Sequence, residues 1–173
     1  MIGFYKQTLR SFRKDNSGAA MIEFAISLPL LLLVVGLIVE GSRITWTHQA
    51  AASGVRDAAR YFARTANPNI CDSQSAVDAF NADAGNSTTA SNIVTRRVGD
   101  PSDAIFPGGV SVVGITPTVS CVTGAYQTDD VAVVEVNARL QIVFPFGGVF
   151  DFFGDPLDPL TTDISDESRV FGT

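Results

Sequence analysis

The sequence has few of the residues on which enzyme and metal chemistry depends. It contains one histidine, His48, and two cysteines, Cys71 and Cys121, which lack a CxxC spacing, so a zinc site would be short of ligands. It also lacks a G-x-S-x-G motif and a phosphate-binding glycine loop, and neither cysteine has a base close to it in sequence. We therefore predict that the protein is not an enzyme and has no catalytic residues, no metal and no cofactor.

Lysine is also missing from most of the chain. The only two, Lys6 and Lys14, precede Gly18, in a segment that holds four of the twelve basic residues and the single acid Asp15. This leaves eight basic residues and seventeen of the eighteen acids for the remainder. Nucleic-acid binding needs a basic surface that displaces counterions from phosphates, so the acidic remainder excludes nucleic acid as a partner.

A long uncharged stretch predicts one membrane span. Ala19 to Val39 is apolar except for Glu23, and a helix over this range covers about 31 Å, the thickness of bilayer hydrocarbon. The leucine run continues past the length of a cleavable secretory signal, which favours a permanent anchor. Basic residues precede the span and only Arg43 follows it closely, so the positive-inside rule places the N-terminus in the cytoplasm and exports the remainder.

Export makes a disulfide between Cys71 and Cys121 the favoured interpretation of the two cysteines. Such a bond persists in an oxidising compartment, and closing a loop of this length stabilises a fold by roughly 4 kcal/mol. Two unpaired buried thiols are the alternative.

Two residues interrupt the span. Pro29 removes one backbone hydrogen bond and would kink the helix, which membrane helices tolerate. Glu23 would cost on the order of 3 kcal/mol in hydrocarbon unless it is paired or neutralised, which indicates a functional role. Its place near the start of the span also allows a hydrated carboxylate at the headgroups, so position alone leaves both interpretations open.

The residues around Glu23 resemble the type IV prepilin processing motif, because a basic leader is followed by Gly18, Ala19, Glu23 and Phe24 and then by the apolar run. The resemblance implies that a prepilin peptidase cuts between Gly18 and Ala19 on the cytoplasmic side. Ala19 then becomes the N-terminus, and Glu23 of a neighbouring subunit neutralises its ammonium in low dielectric. Glu23 and Phe24 would thereby set the axial register between packed helices.

Further features follow this motif along the chain: Gly18, Ala19, Glu23, Phe24, Pro29, Glu40, Arg43, Trp46 and the RDAAR stretch from Arg56 to Arg60 form one set. With this set the chain resembles, over roughly residues 10–65, TadE-like proteins, the minor pilins of the Tad (Flp) pilus machinery. The C-terminal sequence LTTDISDESRV resembles the closing strand of that family, whereas the larger exported region of TadG-like proteins does not fit a chain of this length. The resemblance implies a single-pass protein of the bacterial inner membrane that contributes to pilus biogenesis and adhesion. Its implied partners are other pilins, Tad pilus assembly proteins and the prepilin peptidase.

A second class of function competes with the pilin hypothesis. The chain would be a single-pass anchor whose exported domain binds a ligand or a partner without assembling into a pilus. In that hypothesis Gly18 stays uncut and Glu23 has no role, so the mass of the membrane-extracted protein discriminates between the two.

We predict an α+β fold in which a long N-terminal transmembrane helix continues into a small exported domain with a mostly antiparallel sheet. The predicted divisions are a basic leader over 1–18, the transmembrane helix over 19–40, its exported continuation over 41–66 and a disulfide-linked α+β domain over 67–173. In the continuation, apolar residues recur with the period of one helical face until Asn67 and Pro68 end the helix. That face comprises Ile44, Thr47, Ala51, Val55, Ala58 and Phe62.

Beyond this helix the sequence predicts a short helix over 73–84, a polar linker over 85–91 and then strands. The clearest strand, Val131–Val143, alternates apolar and polar residues in its second half. Its predicted partners are Ile93–Val98, Val110–Ile115, Val119–Thr123 and Thr162–Phe171.

Two rows on the exported helix leave alternatives open. The small residues Ala50, Gly54 and Ala58 permit the close approach of a helix, either from the same domain or from another subunit. Three arginines at four-residue spacing from Arg56 to Arg64 are either solvated or paired with acids.

Two later segments are equally ambiguous. The phenylalanine-rich sequence FPFGGVFDFF is either core or an exposed docking patch. The acids that cluster over 151–167 either solubilise the surface or bind calcium, although the spacing of an EF-hand is absent.

Overall fold

In the computed structural model of the protein, residues 17–97, 100–123, 130–144 and 158–171 are described. The chain divides into two compact units, residues 1–41 and 42–173, and the boundary falls inside the first helix. In chain order the elements are helix α1 (Ser17–Thr65), a 3₁₀ turn (Ile70–Asp72), helices α2 (Gln74–Ala82) and α3 (Ala84–Thr95), and strands β1 (Arg96–Arg97), β2 (Asp100–Ala104), β3 (Val110–Thr123), β4 (Asp130–Ile142) and β5 (Leu160–Arg169).

The part of α1 in the first unit is built mainly from leucine, isoleucine, valine and alanine, and most of its side chains are exposed. A helix satisfies its own backbone hydrogen bonds, which a segment in lipid requires. Pro29 lies inside the helix and lacks the donor for one such bond. Among the described residues, one helix, Gly18–Thr65, is long and apolar enough to cross a membrane, as the sequence predicts.

In the second unit, one face of α1 forms part of the core. The predicted face is confirmed, except that Ile44 is only partly buried. The helix ends at Thr65, close to the predicted end, because Pro68 lacks an N–H and disfavours a helical residue before it. The fully or almost fully buried residues of the face are Thr47, Ala51, Val55, Ala58 and Phe62.

Strands β3, β4 and β5 form an antiparallel sheet in that order, with β4 at the centre. Val136 of β4 pairs with Pro117 of β3 on one side and with Asp166 of β5 on the other. A separate antiparallel ladder joins β1 to β2. The predicted α+β fold with a mostly antiparallel sheet is therefore confirmed. The predicted alternation in β4 is also confirmed, because Val136, Ala138, Leu140 and Ile142 are all buried.

The helices cover the sheet face that carries the buried residues of β4. Phe62 of α1 and Phe80 of α2 make an edge-to-face contact with ring centroids 5.8 Å apart. A Cβ built on Gly54 would lie 2.9 Å from Cα of Val94 in α3, so the two helices approach closely at that point. The small-residue row thus packs against its own domain at Gly54.

The predicted polar linker over 85–91 is wrong, because these residues belong to α3. The Asp83 carboxylate accepts a hydrogen bond from the Gly85 N–H at 2.8 Å and caps the helix. The hydroxyls of Thr88 and Thr95 donate to carbonyls four residues earlier and so do not compete for the helical amides. Burial of Ala90 then offsets the weak helix propensity of this polar sequence.

The predicted strand Ile93–Val98 is also wrong at its start, where the chain stays helical through Thr95. Complete burial of Val94 opposite Gly54 explains why the helix continues there. Only Arg96–Arg97 of this prediction is extended, and Val98 lies outside the described residues.

The two strands predicted on either side of Pro117 are one continuous strand, β3. A proline would break a central strand because it donates no hydrogen bond to the ladder. β3 lies at the edge of its sheet, so the lost donor is tolerated. The strand predicted at Thr162–Phe171 is β5, displaced by two residues.

Candidate functional site

The residues predicted to direct processing and register lie on one helix. Gly18, Ala19, Glu23 and Phe24 are exposed on α1, and Phe24 is 64% exposed. Ala19 and Glu23 are four residues apart, so their side chains lie one turn apart on the same face. The Ser27 hydroxyl donates a hydrogen bond to the Glu23 carbonyl at 2.6 Å, which satisfies this hydroxyl within its own helix. Glu23 is the single charged residue between Ala19 and Val39.

The loop of Gly108 and Gly109 contacts Arg43 near the start of the second unit, and the sequence does not predict this contact. A guanidinium nitrogen of Arg43 donates a hydrogen bond to the carbonyl of Gly108. Gly109 has a φ of +86°, and a Cβ there would lie 3.1 Å from the Val143 carbonyl oxygen. The Gly-Gly dipeptide signals a turn, but nothing in the sequence connects it with Arg43. Trp46, near Arg43 on α1, is 63% exposed.

Two polar side chains of α1 are buried. Glu40 is 7% exposed and Thr47 is fully buried. The Thr47 hydroxyl has no hydrogen-bond partner among the described residues, which costs about 1–3 kcal/mol relative to a satisfied hydroxyl. The helical period predicts the burial of Thr47, whereas no signal in the sequence indicates that of Glu40.

A disulfide joins the helical layer to the sheet. Cys71 in the 3₁₀ turn is bonded to Cys121 in β3, with their Cα atoms 5.8 Å apart. Nearby, the Val119 N–H donates to the Asn81 side-chain oxygen at 2.7 Å, and the Asn81 amide nitrogen donates to the Val119 carbonyl at 3.2 Å. The Asn81 side chain therefore occupies both backbone groups of one residue on the edge strand. No signal in the sequence indicates this role of Asn81, because its partner lies in a different element.

Comparison with protein families identifies the N-terminal segment. The model of the TadE-like protein family matches residues 18–60. These residues are similar to TadE-like proteins, and we call them the TadE-like segment. The match begins at Gly18 and continues through the apolar run and the buried face of α1 as far as Arg60. No curated protein and no solved structure matches the chain.

One arginine of the TadE-like segment is paired with strand β5 of the sheet. Nε of Arg56 lies 3.1 Å from a carboxylate oxygen of Asp166 in β5. Both side chains are partly exposed, so the pair contributes at most about 1 kcal/mol. The alternative in which the arginine row pairs with acids of its own domain therefore holds at Arg56.

Beyond the TadE-like segment, one acid of the sheet is paired with arginine and two others face each other. Arg139 donates two hydrogen bonds to Asp163, at 2.7 and 3.2 Å. These bonds lower the pKa of Asp163 below its ordinary value and raise the pKa of Arg139. Glu135 of β4 pairs directly with Glu167 of β5, an unfavourable placement of like charges.

The acidic cluster shows no metal geometry where it is described. Within 17–97, 100–123, 130–144 and 158–171, no three histidine, cysteine, aspartate or glutamate side chains are placed to hold a metal ion. Asp151 and Asp155 lie outside these residues, as does most of the FPFGGVFDFF segment. Phe144, at its start, is half-buried.

An open cleft of about 580 Å³ lies beside the C-terminal end of α1. Its lining includes the rings of Tyr61, Phe62 and Phe80, and the Phe62 ring contacts each of the other two edge to face. Asp83 and Asn86 also line the cleft, and their side chains already bond to backbone groups of the chain. The cleft thus offers an aromatic surface rather than a set of catalytic groups.

Proposed function

We propose that the protein is a TadE-like minor pilin that takes part in the biogenesis of a Tad (Flp) pilus and in adhesion through it. In this proposal α1 crosses the bacterial inner membrane once, with the N-terminus in the cytoplasm and residues 41–173 exported. The observation that carries the proposal is the TadE-like match, which begins at Gly18 and runs along a helix able to span a membrane. Other pilins and Tad pilus assembly proteins are the proposed partners.

The proposed processing step is hydrolysis of the Gly18–Ala19 peptide bond by a prepilin peptidase. Both residues are exposed, and a Cβ on Gly18 would meet no atom within 4 Å, so the structure leaves this bond accessible. Cleavage removes the leader charges and creates an ammonium on Ala19 at the start of the helix.

The proposed role of Glu23 follows from the cost of a charge in lipid. An unpaired carboxylate there is destabilised by several kcal/mol, and so is the new ammonium. When two processed helices pack with the ammonium of one beside Glu23 of the other, each neutralises the other in low dielectric. Phe24, exposed beside Glu23, adds an apolar contact to the same register.

Cleavage is tested by counting amines, because both lysines lie in the leader. Denatured precursor with a free N-terminus should accept three amine-reactive tags, at Met1, Lys6 and Lys14. Mature protein from wild-type membranes should accept one, at Ala19, or none if that terminus is methylated, and its mass should fall below 18.3 kDa. Membrane-extracted protein that keeps tagged Lys6 and Lys14 and the full mass would contradict the proposal.

The register role is tested by Glu23→Gln, which keeps the shape of the side chain and removes its charge. Processing and membrane insertion should be unchanged, whereas co-purification with other pilus components should fall several-fold, because the neighbouring ammonium loses its counter-charge. Glu135→Gln, an equivalent change on the exposed face of the sheet, is the control and should leave recruitment unaltered. Equal recruitment of the Glu23 variant and wild type would refute this role.

The cleft supports the second candidate function, an uncleaved single-pass anchor with an exported ligand-binding domain. Its aromatic lining and its volume of about 580 Å³ suit a small ligand. A full-length mass in the membrane, together with wild-type recruitment of the Glu23 variant, would favour this function over the pilin.

A further inference from the structure

One end of the three-stranded sheet carries exposed apolar side chains. Val113, Val143 and Leu160 are 59%, 47% and 42% exposed, and we call these three residues the apolar rim. They belong together because β3 begins, β4 ends and β5 begins at this end, where Ile142 pairs with both Val110 and Leu160.

Hydrogen bonds through the loop of Gly108 and Gly109 connect the apolar rim with Arg43, near the start of the exported part of α1. Gly108 accepts a hydrogen bond from the Arg43 guanidinium, and the carbonyl of Gly109 accepts the N–H of Val143 at 2.7 Å. A Cβ on Gly109 would lie 3.1 Å from the Val143 carbonyl oxygen and 3.2 Å from a guanidinium nitrogen of Arg43. The loop therefore packs against Arg43 and the rim at once.

Chain connectivity limits how far this end of the sheet can lie from lipid. Arg43 follows Val39, the last residue of the apolar run, by four positions. Four residues extend over at most about 14 Å, whatever their conformation. A polar headgroup layer is roughly 5–8 Å thick on each side of the hydrocarbon, so Arg43 lies in or just beyond it when the run is inserted. Trp46, 63% exposed, has the amphipathic ring that favours this layer.

We propose that the apolar rim docks on the surface of the bilayer that α1 crosses, with Trp46 at the same depth. This inference rests on the proposed membrane anchoring and deepens it. The occupant is lipid because the rim is connected to the membrane span through Arg43. The attraction is apolar, since the exported part of the chain is acidic and an acidic surface is not drawn to phosphate headgroups.

Tryptophan fluorescence tests the proposal in the full-length protein, because Trp46 is the only tryptophan. Single-tryptophan variants are made in a Trp46→Phe background, with Val143→Trp and Leu160→Trp reporting on the apolar rim. Val122→Trp is the matched control, since Val122 is a valine of similar exposure, 51%, near the opposite end of β3. Each variant is reconstituted in phosphatidylcholine vesicles with and without brominated acyl chains, and those whose Cys71–Cys121 bond is intact are compared.

Both rim variants should emit at shorter wavelength than the control, and brominated lipid should quench them several-fold more strongly, at low and high salt alike. Quenching of Val143→Trp and Leu160→Trp no stronger than that of the control would overturn the docking. A blue shift that rises with the protein-to-lipid ratio and resists brominated lipid would assign the rim to a protein contact and also overturn it. Co-flotation of the full-length protein with the vesicles distinguishes the two proposals. If the protein floats with the vesicles while the rim is not quenched, only docking fails; if it does not float, the anchoring fails with it.

Discussion

Removing the disulfide by the double substitution Cys71→Ala and Cys121→Ala should lower the free energy of unfolding of the second unit, residues 42–173, by about 4 kcal/mol. The bond closes a loop with a sequence separation of 50, so its loss returns a large conformational entropy to the unfolded chain. Small domains are commonly stable by only 5–15 kcal/mol, so the loss is a large share of the total. Urea unfolding of the detergent-solubilised protein, followed through the sheet signal, measures the change in midpoint and slope.

Reduced wild-type protein is the matched control for this pair of substitutions, because it breaks the same bond without changing a residue. Its unfolding midpoint should agree with that of the double variant. The same preparation tests the compartment, since both cysteines should resist alkylation in freshly isolated membranes until a reductant is added. Immediate alkylation of both cysteines would contradict the proposed export. A double variant as stable as oxidised wild type would contradict the stabilising role of the bond.

The sequence predicts well the parts of the fold that depend on a simple period. The apolar spacing from Thr47 to Phe62 predicts the buried face of α1, and the alternation from Val136 to Ile142 predicts the inner face of β4. In both cases the pattern repeats over several residues, and burial of that pattern outweighs local propensity.

The errors arise where a contact distant in sequence decides the local structure. The polar residues of α3 are typical of a linker, and they are helical because the Asp83 cap and the burial of Ala90 and Val94 outweigh their weak propensity. Pro117 predicts a break between strands, and it is tolerated because β3 is an edge strand. Neither the sheet order nor the position of α3 beside Gly54 is encoded in a short window of sequence.

Some features of the candidate site can be predicted from the sequence and others cannot, for the same reason. The span, Glu23 and the cysteine pair are visible in the sequence because each has a local or compositional signature. The contacts of Arg43 with Gly108 and of Asn81 with Val119 have none, since each joins residues of different elements by one or two hydrogen bonds. Such contacts depend on the completed fold.

Gly54→Ala should destabilise the second unit by about 1–3 kcal/mol, the range of overpacking in a well-packed core. The added Cβ would lie 2.9 Å from Cα and 3.0 Å from the carbonyl oxygen of Val94, and both atoms belong to the backbone of α3. Because a backbone cannot rotate away as a side chain can, α3 must shift as a whole and weaken the packing of Ala90 against the core. Alanine is a better helix former than glycine by about 1 kcal/mol, so propensity alone would make the variant more stable than wild type. The expected loss of stability therefore comes from the crowding against Val94.

Gly41→Ala is the control, because it makes the same change in the same helix at a position where a Cβ meets nothing within 4 Å. This variant should be as stable as wild type or slightly more stable, since only the propensity gain remains. Urea midpoints of the two variants and wild type, measured side by side with the disulfide intact, separate crowding from propensity. A Gly54 variant that matches the Gly41 variant would mean that α1 and α3 do not pack closely at Val94. In that case the small-residue row of α1 would be free for a neighbouring subunit.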